Sequence, residues 1–447
     1  MPAAVNAGAR LDRLPISSFH YRIFWLVGAG MFFDGYDLYV GTAVLPALLQ
    51  AKFSTLPLNA QFVSFTFLGM TIGALVTGFL GDYYGRRFTY QFNLIIFGLA
   101  SLAAAFAPDI TTLNLLRLVM GLGLGAEIVV GYSTLTEFVP PRSRGRWLAF
   151  MAFLVVSGLP VTTLLGNLII PNFGWRPMFV IAGVGALIVW YLRKSLPESP
   201  RWLETNGRNE EAEAILSAIE KEAASAGPLP APAPTIVTPA FNLKSLLEGD
   251  LLRRMVVGSW VLITVNTLIF GFVTWLPQFF LAQGVTITRS LAYTLVIVLG
   301  SPIGCAIGAV CADALGRRPT IIGASVLSII FGSIYPFATD PPLMLTVGFL
   351  LIVSIYIQVA LLFGVYTPEL FPTEVRLRAN GICNTLGRAA TIVSPFIVVS
   401  LFQNYSIRGV LALMLALLVI QILVVWVWGV EPRARPLEAL EAKATAA

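Results

Sequence analysis

Asp82-Tyr83-Tyr84-Gly85-Arg86-Arg87 recurs in the second half of the chain as Asp313-Ala314-Leu315-Gly316-Arg317-Arg318. A second pattern, Glu137-x-x-Pro140-x-x-x-Arg144-x-Arg146, recurs as Glu369-x-x-Pro372-x-x-x-Arg376-x-Arg378. The offsets are 313 − 82 = 231 and 369 − 137 = 232. Two independent motifs at nearly one spacing mark an internal duplication. Each copy falls in the polar gap between long apolar runs at matching places, so the two halves share one topology.

Working outward from these loops, the 447 residues are 57% hydrophobic and only 12% charged. Soluble domains average about 25% charged residues. This is the composition of an integral membrane protein, all-α because helices satisfy their own backbone groups in lipid. Twelve apolar runs are each long enough for a crossing of roughly 20 residues. The first six lie near 22–49, 60–82, 88–107, 111–138, 146–171 and 176–194. The second six lie near 253–281, 289–314, 318–337, 341–369, 376–402 and 407–429. The expected organisation is a six-helix half at 1–195, a polar linker at 196–252 and a second six-helix half at 253–447. Within the linker, 200–225 reads as one amphipathic helix with Trp202, Leu203, Ala212, Ile215, Leu216 and Ile219 on its apolar side. Gly227 to Pro239 is a proline-rich connection, and Phe241 to Leu247 could lie on the membrane surface.

Lys and Arg set the orientation. Alternate loops carry Arg86/Arg87, Arg142/Arg144/Arg146, Arg193/Lys194/Arg201, Arg317/Arg318 and Arg376/Arg378. The opposite loops carry only Lys52, Arg176, Arg289 and Arg408. By the positive-inside rule both termini and the linker are expected in the cytoplasm. The net charge of +6 is therefore a topology signal and not a nucleic-acid one. Cys305, Cys311 and Cys383 all fall in apolar runs, and His20 is the single histidine, so no metal site or cofactor is expected. No GxxxxGK[ST] loop and no nucleophile set is present, which argues against an ATP-driven pump or an enzyme.

Charges within the apolar runs mark the candidate site, because an ionisable group at bilayer depth costs on the order of 3 kcal/mol. Asp34 and Asp37 lie mid-run in Met31-Phe-Phe-Asp-Gly-Tyr-Asp-Leu-Tyr39, and Gly35 between them admits a second backbone. Arg117 and Glu127 belong to the fourth run, flanking the glycines at 121, 123 and 125. Those glycines suit close helix packing. Arg117 is read either as a packing partner or as the cation that tunes the protonation of Asp34 or Asp37. Arg388, mid-run in the eleventh, needs an anion: a fixed acid, or the carboxylate of a substrate held by its planar fork. Aromatic and polar side chains at similar depth, among them Tyr36, Trp275, Asn266, Gln358 and Asn384, are candidates for substrate contact or for helix-to-helix bonds.

Taken together, the chain resembles the major facilitator superfamily over nearly its whole length. Gly78-Phe-Leu-Gly-Asp82-Tyr-Tyr-Gly85-Arg86-Arg87 resembles that family's signature loop. Pro197-Glu198-Ser199-Pro200-Arg201-Trp202-Leu203 is similar to the sugar-porter and organic-ion branches. Asp34-Gly35-Tyr36-Asp37 resembles the aromatic acid:proton symporters, and Arg117-x-x-x-Gly121-x-Gly123-x-Gly125-Ala126-Glu127 the metabolite:proton symporters, nicotinate carriers included. Gly387-Arg388 resembles the organic-anion carriers. The resemblance implies proton-coupled symport of a small aromatic or heteroaromatic monocarboxylate across the inner membrane, by a single chain working through alternating access. It also implies an intracellular gate of Asp82, Arg86, Arg87, Glu137, Arg144 and Glu198, with Asp313, Arg317, Glu369 and Arg376. The alternatives are a sugar or other neutral-metabolite porter, and a transporter-like sensor that binds without turnover.

Overall fold

The computed structural model describes residues 5–225, 227, 229–231, 249–338, 340–371 and 376–431. Most of the proline-rich connection, the segment Phe241 to Leu247 and Pro372 lie outside the described residues, as do the side chains of Asp82, Asp313 and Arg376. All regular elements among the described residues are helical. Before the linker they are α1 (Ala7–Asp12), α2 (Ser18–Gln50), α3 (Leu56–Tyr84), α4 (Arg86–Ala105), α5 (Ile110–Phe138), α6 (Pro141–Phe173) and α7 (Arg176–Leu192). Two short helices follow, α8 (Pro200–Thr205) and α9 (Asn209–Ala224). The rest are α10 (Gly249–Gly271), α11 (Leu276–Ala282), α12 (Ile287–Val298), α13 (Gly300–Leu315), α14 (Arg317–Ile334), α15 (Pro341–Leu361), α16 (Thr367–Glu369) and α17 (Arg376–Trp428).

Among the described residues, helices cover all twelve of the expected apolar runs. The seventh is α10 and α11 joined through a 3-10 turn at Val273–Trp275, and the eighth is α12 followed by α13. The eleventh and twelfth run together as α17, interrupted only at Ser406, whose φ of 55° and ψ of −160° are not helical. Several crossings outrun their apolar stretch; α2 begins at Ser18 and α6 at Pro141, because a helix propagates past the last apolar residue when nothing breaks it. The recurring glycine of the duplicated loop explains itself here. Gly85 and Gly316 have φ of +91° and +102°, so α4 and α14 each restart one residue after the preceding helix ends.

Of the described residues, one compact unit takes those within Met1–Leu38, Leu68–Gly158 and Arg176–Val237; a second takes those within Tyr39–Phe67, Leu159–Trp175 and Thr238–Ala447. In the first, α4 packs on α5 and α7. In the second, α14 packs on α15 and α17, which is the same pairing of crossings six places later. The duplication extends to individual atoms. A methyl group on Gly69 or Gly73 of α3 would strike the carbonyl oxygen of Leu118 or Leu122 of α5. On Gly300 it would lie 2.9 Å from the carbonyl of Phe349, and on Gly304 it would strike that of Val353. Both the glycines and their carbonyls are 231 residues apart between the halves (300 − 69 and 349 − 118).

The linker differs from expectation. The amphipathic segment is two helices, because Gly207 at φ +74° turns the chain between α8 and α9. Trp202, Leu203, Ala212, Leu216 and Ile219 are buried as their periodicity requires. They share a core with Ala7, Leu11 and Leu14 at the N-terminus of the chain, where α1 stands without an apolar run to announce it.

Candidate functional site

The site is built on the first unit by α2, α5 and the 3-10 turn Arg193–Ser195 that follows α7. Gly35 lets α2 and α6 touch backbone to backbone: a methyl group there would strike the carbonyl of Val155, and one on Gly158 the backbone of Gly35. That close approach fixes the rotation of α2 and directs both aspartates into protein; Asp34 and Asp37 are 1% and 0% exposed. Arg117 settles on Asp37. Its Nη1 donates to Asp37 Oδ2 at 2.6 Å and its Nη2 to the Asp37 backbone carbonyl at 3.3 Å. The pair is buried on both sides, so removing one member would strand a charge at a cost of about 3–5 kcal/mol. Asp34 is placed otherwise. Both of its oxygens are buried and have no hydrogen-bond partner among the described residues. The charges that reach it are those of Glu127, Arg193 and Asp37.

Arg193 is the buried cation that sequence reasoning placed differently. It was expected in the loop that sets orientation; the structure buries it at 1% exposure. Its Nη1 donates to Glu127 Oε1, its Nε to the carbonyl of Leu26 at 2.8 Å and its Nη2 to that of Val27 at 2.7 Å. The guanidinium also lies over the Tyr90 ring, 5.8 Å from its centroid.

The loops carrying the duplicated motif form two matching charge clusters, one in each unit. Arg86 Nε pairs with Glu137 at 3.0 Å while its Nη1 donates to the carbonyl of Gly81, five residues back. Arg317 Nε pairs with Glu369 at 3.0 Å while its Nη1 donates to the carbonyl of Ala312, also five residues back. The Glu198 carboxylate receives the backbone N–H groups of Arg86 and Arg87 at 2.9 and 3.1 Å. Its counterpart is Glu431, which receives those of Arg317 and Arg318 at 3.1 and 2.8 Å. Arg87 reaches the carbonyl of Lys194 at 2.9 Å. Glu431 was not among the expected gate residues. Its signal was the spacing 431 − 198 = 233, close to the other two offsets, hidden because Val430-Glu431-Pro432-Arg433 lacks the serine of Glu198-Ser199-Pro200-Arg201.

Arg144, expected at the gate, is drawn to the N-terminus of the chain. It and Arg201 meet Asp12 at 3.3 and 2.6 Å. Glu204 accepts the first free N–H groups of α1, from Asn6 at 2.6 Å and Ala7 at 2.8 Å. Arg10 bridges Glu213 and Glu220 of α9, and Arg13 also donates to Glu220 at 2.7 Å. Arg10 holds both carboxyls below the usual glutamate range.

The remaining candidates are dispersed over α2, α10, the turn Val273–Trp275, α15 and α17. The Tyr36 hydroxyl donates to the carbonyl of Met178 at 3.1 Å. Asn266 donates to its own helix at Leu262, 2.7 Å away, and the backbone at Gly387 closes on its amide, which sets Arg388 beside this α10–α17 contact. Arg388 is half-buried. The Trp275 indole donates to the carbonyl of Phe270 at 3.1 Å. Gln358 joins Ser325, Ser328 and Gln421 in a buried network that ties α14, α15 and α17. Asn384 is half-buried and donates to Asn380 at 2.9 Å. Gln278, a fourth polar side chain within an apolar run, is buried with both amide atoms unpartnered among the described residues.

Comparison with known proteins agrees with this architecture. Residues 27–367 match the model of the Major Facilitator Superfamily, and residues 339–444 that of the family described as Sugar (and other) transporter. The chain is 36% identical over 441 residues to the Inner membrane metabolite transport protein YdjE of Escherichia coli, covering 96% of this chain and 97% of that protein. It is 29% identical over 441 residues to the Niacin transporter NiaP of Acinetobacter baylyi, covering 97% and 99%. In fold it is similar to the inward open conformation of the xylose transporter XylE from E. coli, with a TM-score of 0.74 at 18% identity over 95% of this chain and all of that one.

Proposed function

The chain belongs to the major facilitator superfamily of membrane transporters, and we propose that it is a proton-coupled symporter of a small organic anion of the benzoate or nicotinate kind. The observation that carries the coupling is the contrast between the two aspartates. Asp37 is committed to Arg117, whereas Asp34 is buried with neither oxygen bonded among the described residues. A carboxyl in that position is stable when neutral and must find a partner when charged, which is what loading and releasing a proton demands. Support for an anion comes from Arg388, a guanidinium at bilayer depth, and from the relatives named as niacin transporters. In this reading the halves 1–195 and 253–447, joined by 196–252, alternate access in the inner membrane, and one chain suffices. The termini and the Arg-rich loops face the cytoplasm, and the clusters around Arg86 and Arg317 act in the gate.

The test is uptake of radiolabelled nicotinate into proteoliposomes under an imposed proton gradient. The wild type should accumulate it, and Asp34→Asn should exchange it without accumulation. Wild-type accumulation by Asp34→Asn would show the coupling assignment to be wrong. The family model at 339–444 and the Pro197–Leu203 motif favour a second reading, a sugar porter; accumulation of xylose but not nicotinate selects it. Saturable binding of either with no accumulation selects a sensor.

A further inference from the structure

Three acids succeed one another along α2: Glu127 against Gly30, then Asp34, then Asp37. Glu127 is located by Gly30, where a methyl group would strike Nη2 of Arg193 and lie 3.0 Å from Glu127 Oε1. Gly30 and Asp34 are four residues apart and so share one face of α2, separated by about 6 Å along its axis. The Asp34 side chain therefore projects on the side where Glu127 enters. Glu127 is held asymmetrically. Oε1 is taken by Arg193, while Oε2 is buried and has no partner among the described residues. Two carboxyls with buried, unpartnered oxygens thus lie toward one face of α2, about one turn apart, and Arg193 holds the other oxygen of Glu127. Asp37 likewise keeps one buried oxygen, Oδ1, without a partner among the described residues, but it lies beyond Asp34 on the side away from Gly30 and Glu127.

We infer that Glu127, held on one oxygen by Arg193, is the second station for the proton that Asp34 carries. The inference rests on the proposed coupling at Asp34. In the transfer, the O–H bond of the Asp34 carboxyl breaks and its electron pair stays on the aspartate. The proton bonds to Oε2 of Glu127, which later gives it to water at the cytoplasmic end. Arg193 is a positioning residue. Its Nε and Nη2 donate to the carbonyls of Leu26 and Val27, which lie nearer the start of α2 than Asp34 does. The route therefore leads from Asp34 toward the Arg-rich loops, past Tyr90 and away from Asp37.

The test needs no substrate. Infrared difference spectra of the purified full-length protein at neutral pH report the C=O stretch of a neutral buried carboxyl. A proton shared by Asp34 and Glu127 gives a band that shifts in Asp34→Asn and in Glu127→Gln. Because Glu127→Gln strands Arg193 and could unfold the protein, Glu127→Gln/Arg193→Gln is measured beside it, with both charges removed together. It too should shift the band. A band lost in Asp34→Asn but unchanged in the double variant overturns the relay and leaves the coupling at Asp34 standing. A band absent from the wild type, or unchanged in Asp34→Asn, overturns the coupling reading itself and the relay with it.

Discussion

Glu431 stands to the start of α14 as Glu198 stands to the start of α4: each carboxylate closes over the first two backbone N–H groups after a glycine of positive φ. The helix N-terminus carries roughly half a positive charge, so a carboxylate there is favourable by about 1 kcal/mol before its hydrogen bonds are counted. The same geometry leaves no room for a side chain on the glycine. A methyl group on Gly85 would strike Glu198, and one on Gly316 would lie 3.0 Å from Glu431.

Gly85→Ala should therefore be more damaging than Glu198→Gln. Glu198→Gln keeps the shape and loses about 1–2 kcal/mol of charge-assisted bonding. Gly85→Ala adds a left-handed backbone penalty of about 1–2 kcal/mol and expels the carboxylate as well. Thermal unfolding in detergent orders the variants, and Gly316→Ala and Glu431→Gln should repeat the order. An alanine at either glycine that melts with the wild type would refute this account of the loop.

Asp37 and Arg117 should behave as one unit. Asp37→Asn or Arg117→Gln alone should cost about 3–5 kcal/mol, because each leaves a buried charge. The double variant should recover most of that loss. Stabilities that simply add across the cycle would mean that the two side chains are not coupled.

Arg388 should set ligand charge if the transported molecule is an anion. Loss of a charged hydrogen bond costs roughly 1.5–3 kcal/mol, or about ten- to a hundredfold in affinity. Wild type should thus prefer nicotinate over nicotinamide, Arg388→Lys should narrow the preference and Arg388→Ala should abolish it. Equal wild-type affinity for the two would move the weight to a neutral metabolite.

The docking of α1 should fail at low pH. Arg10 depresses the protonation of Glu213 and Glu220, so the folded carboxyls titrate below the unfolded value of about 4.3. The stabilisation is complete above that value and is lost as pH falls through their lower folded values. Glu213 is half exposed, so Glu220 should contribute the larger part. Hydrogen exchange of residues 7–12, corrected for intrinsic rate, should accelerate on acidification. Arg10→Gln should exchange fast already at neutral pH, and protection that persists through the acid range would contradict the ion-pair account.

Much of the fold was legible because lipid makes the code simple: a crossing must be long and apolar, and the duplicated loops fix how crossings pair. Asp34, Asp37, Arg117 and Glu127 were legible for the same reason, since charge at that depth is conspicuous. Arg193 was not, because a cation just past an apolar run looks like every other loop arginine until Glu127 is seen to need it. Nor was α1, whose six residues are held by side chains of α6, α8 and α9 far away in sequence. The break between α8 and α9 was written in Asn206-Gly207, but amphipathic periodicity on both sides masked it.

The glycine-to-carbonyl contacts have a consequence for biosynthesis. The chain between Gly69 and Leu118 is as long as that between Gly300 and Phe349, and each contact is complete within that stretch. Neither needs anything from the other half. The packing of α3 on α5 is therefore available while the ribosome is still translating the rest, as expected when a large chain folds piece by piece in the order it emerges. The α13–α15 contact then repeats the step with its own residues. A nascent chain released after α7 should already hold α3 and α5 in register, and an error in the second half would leave that first assembly intact.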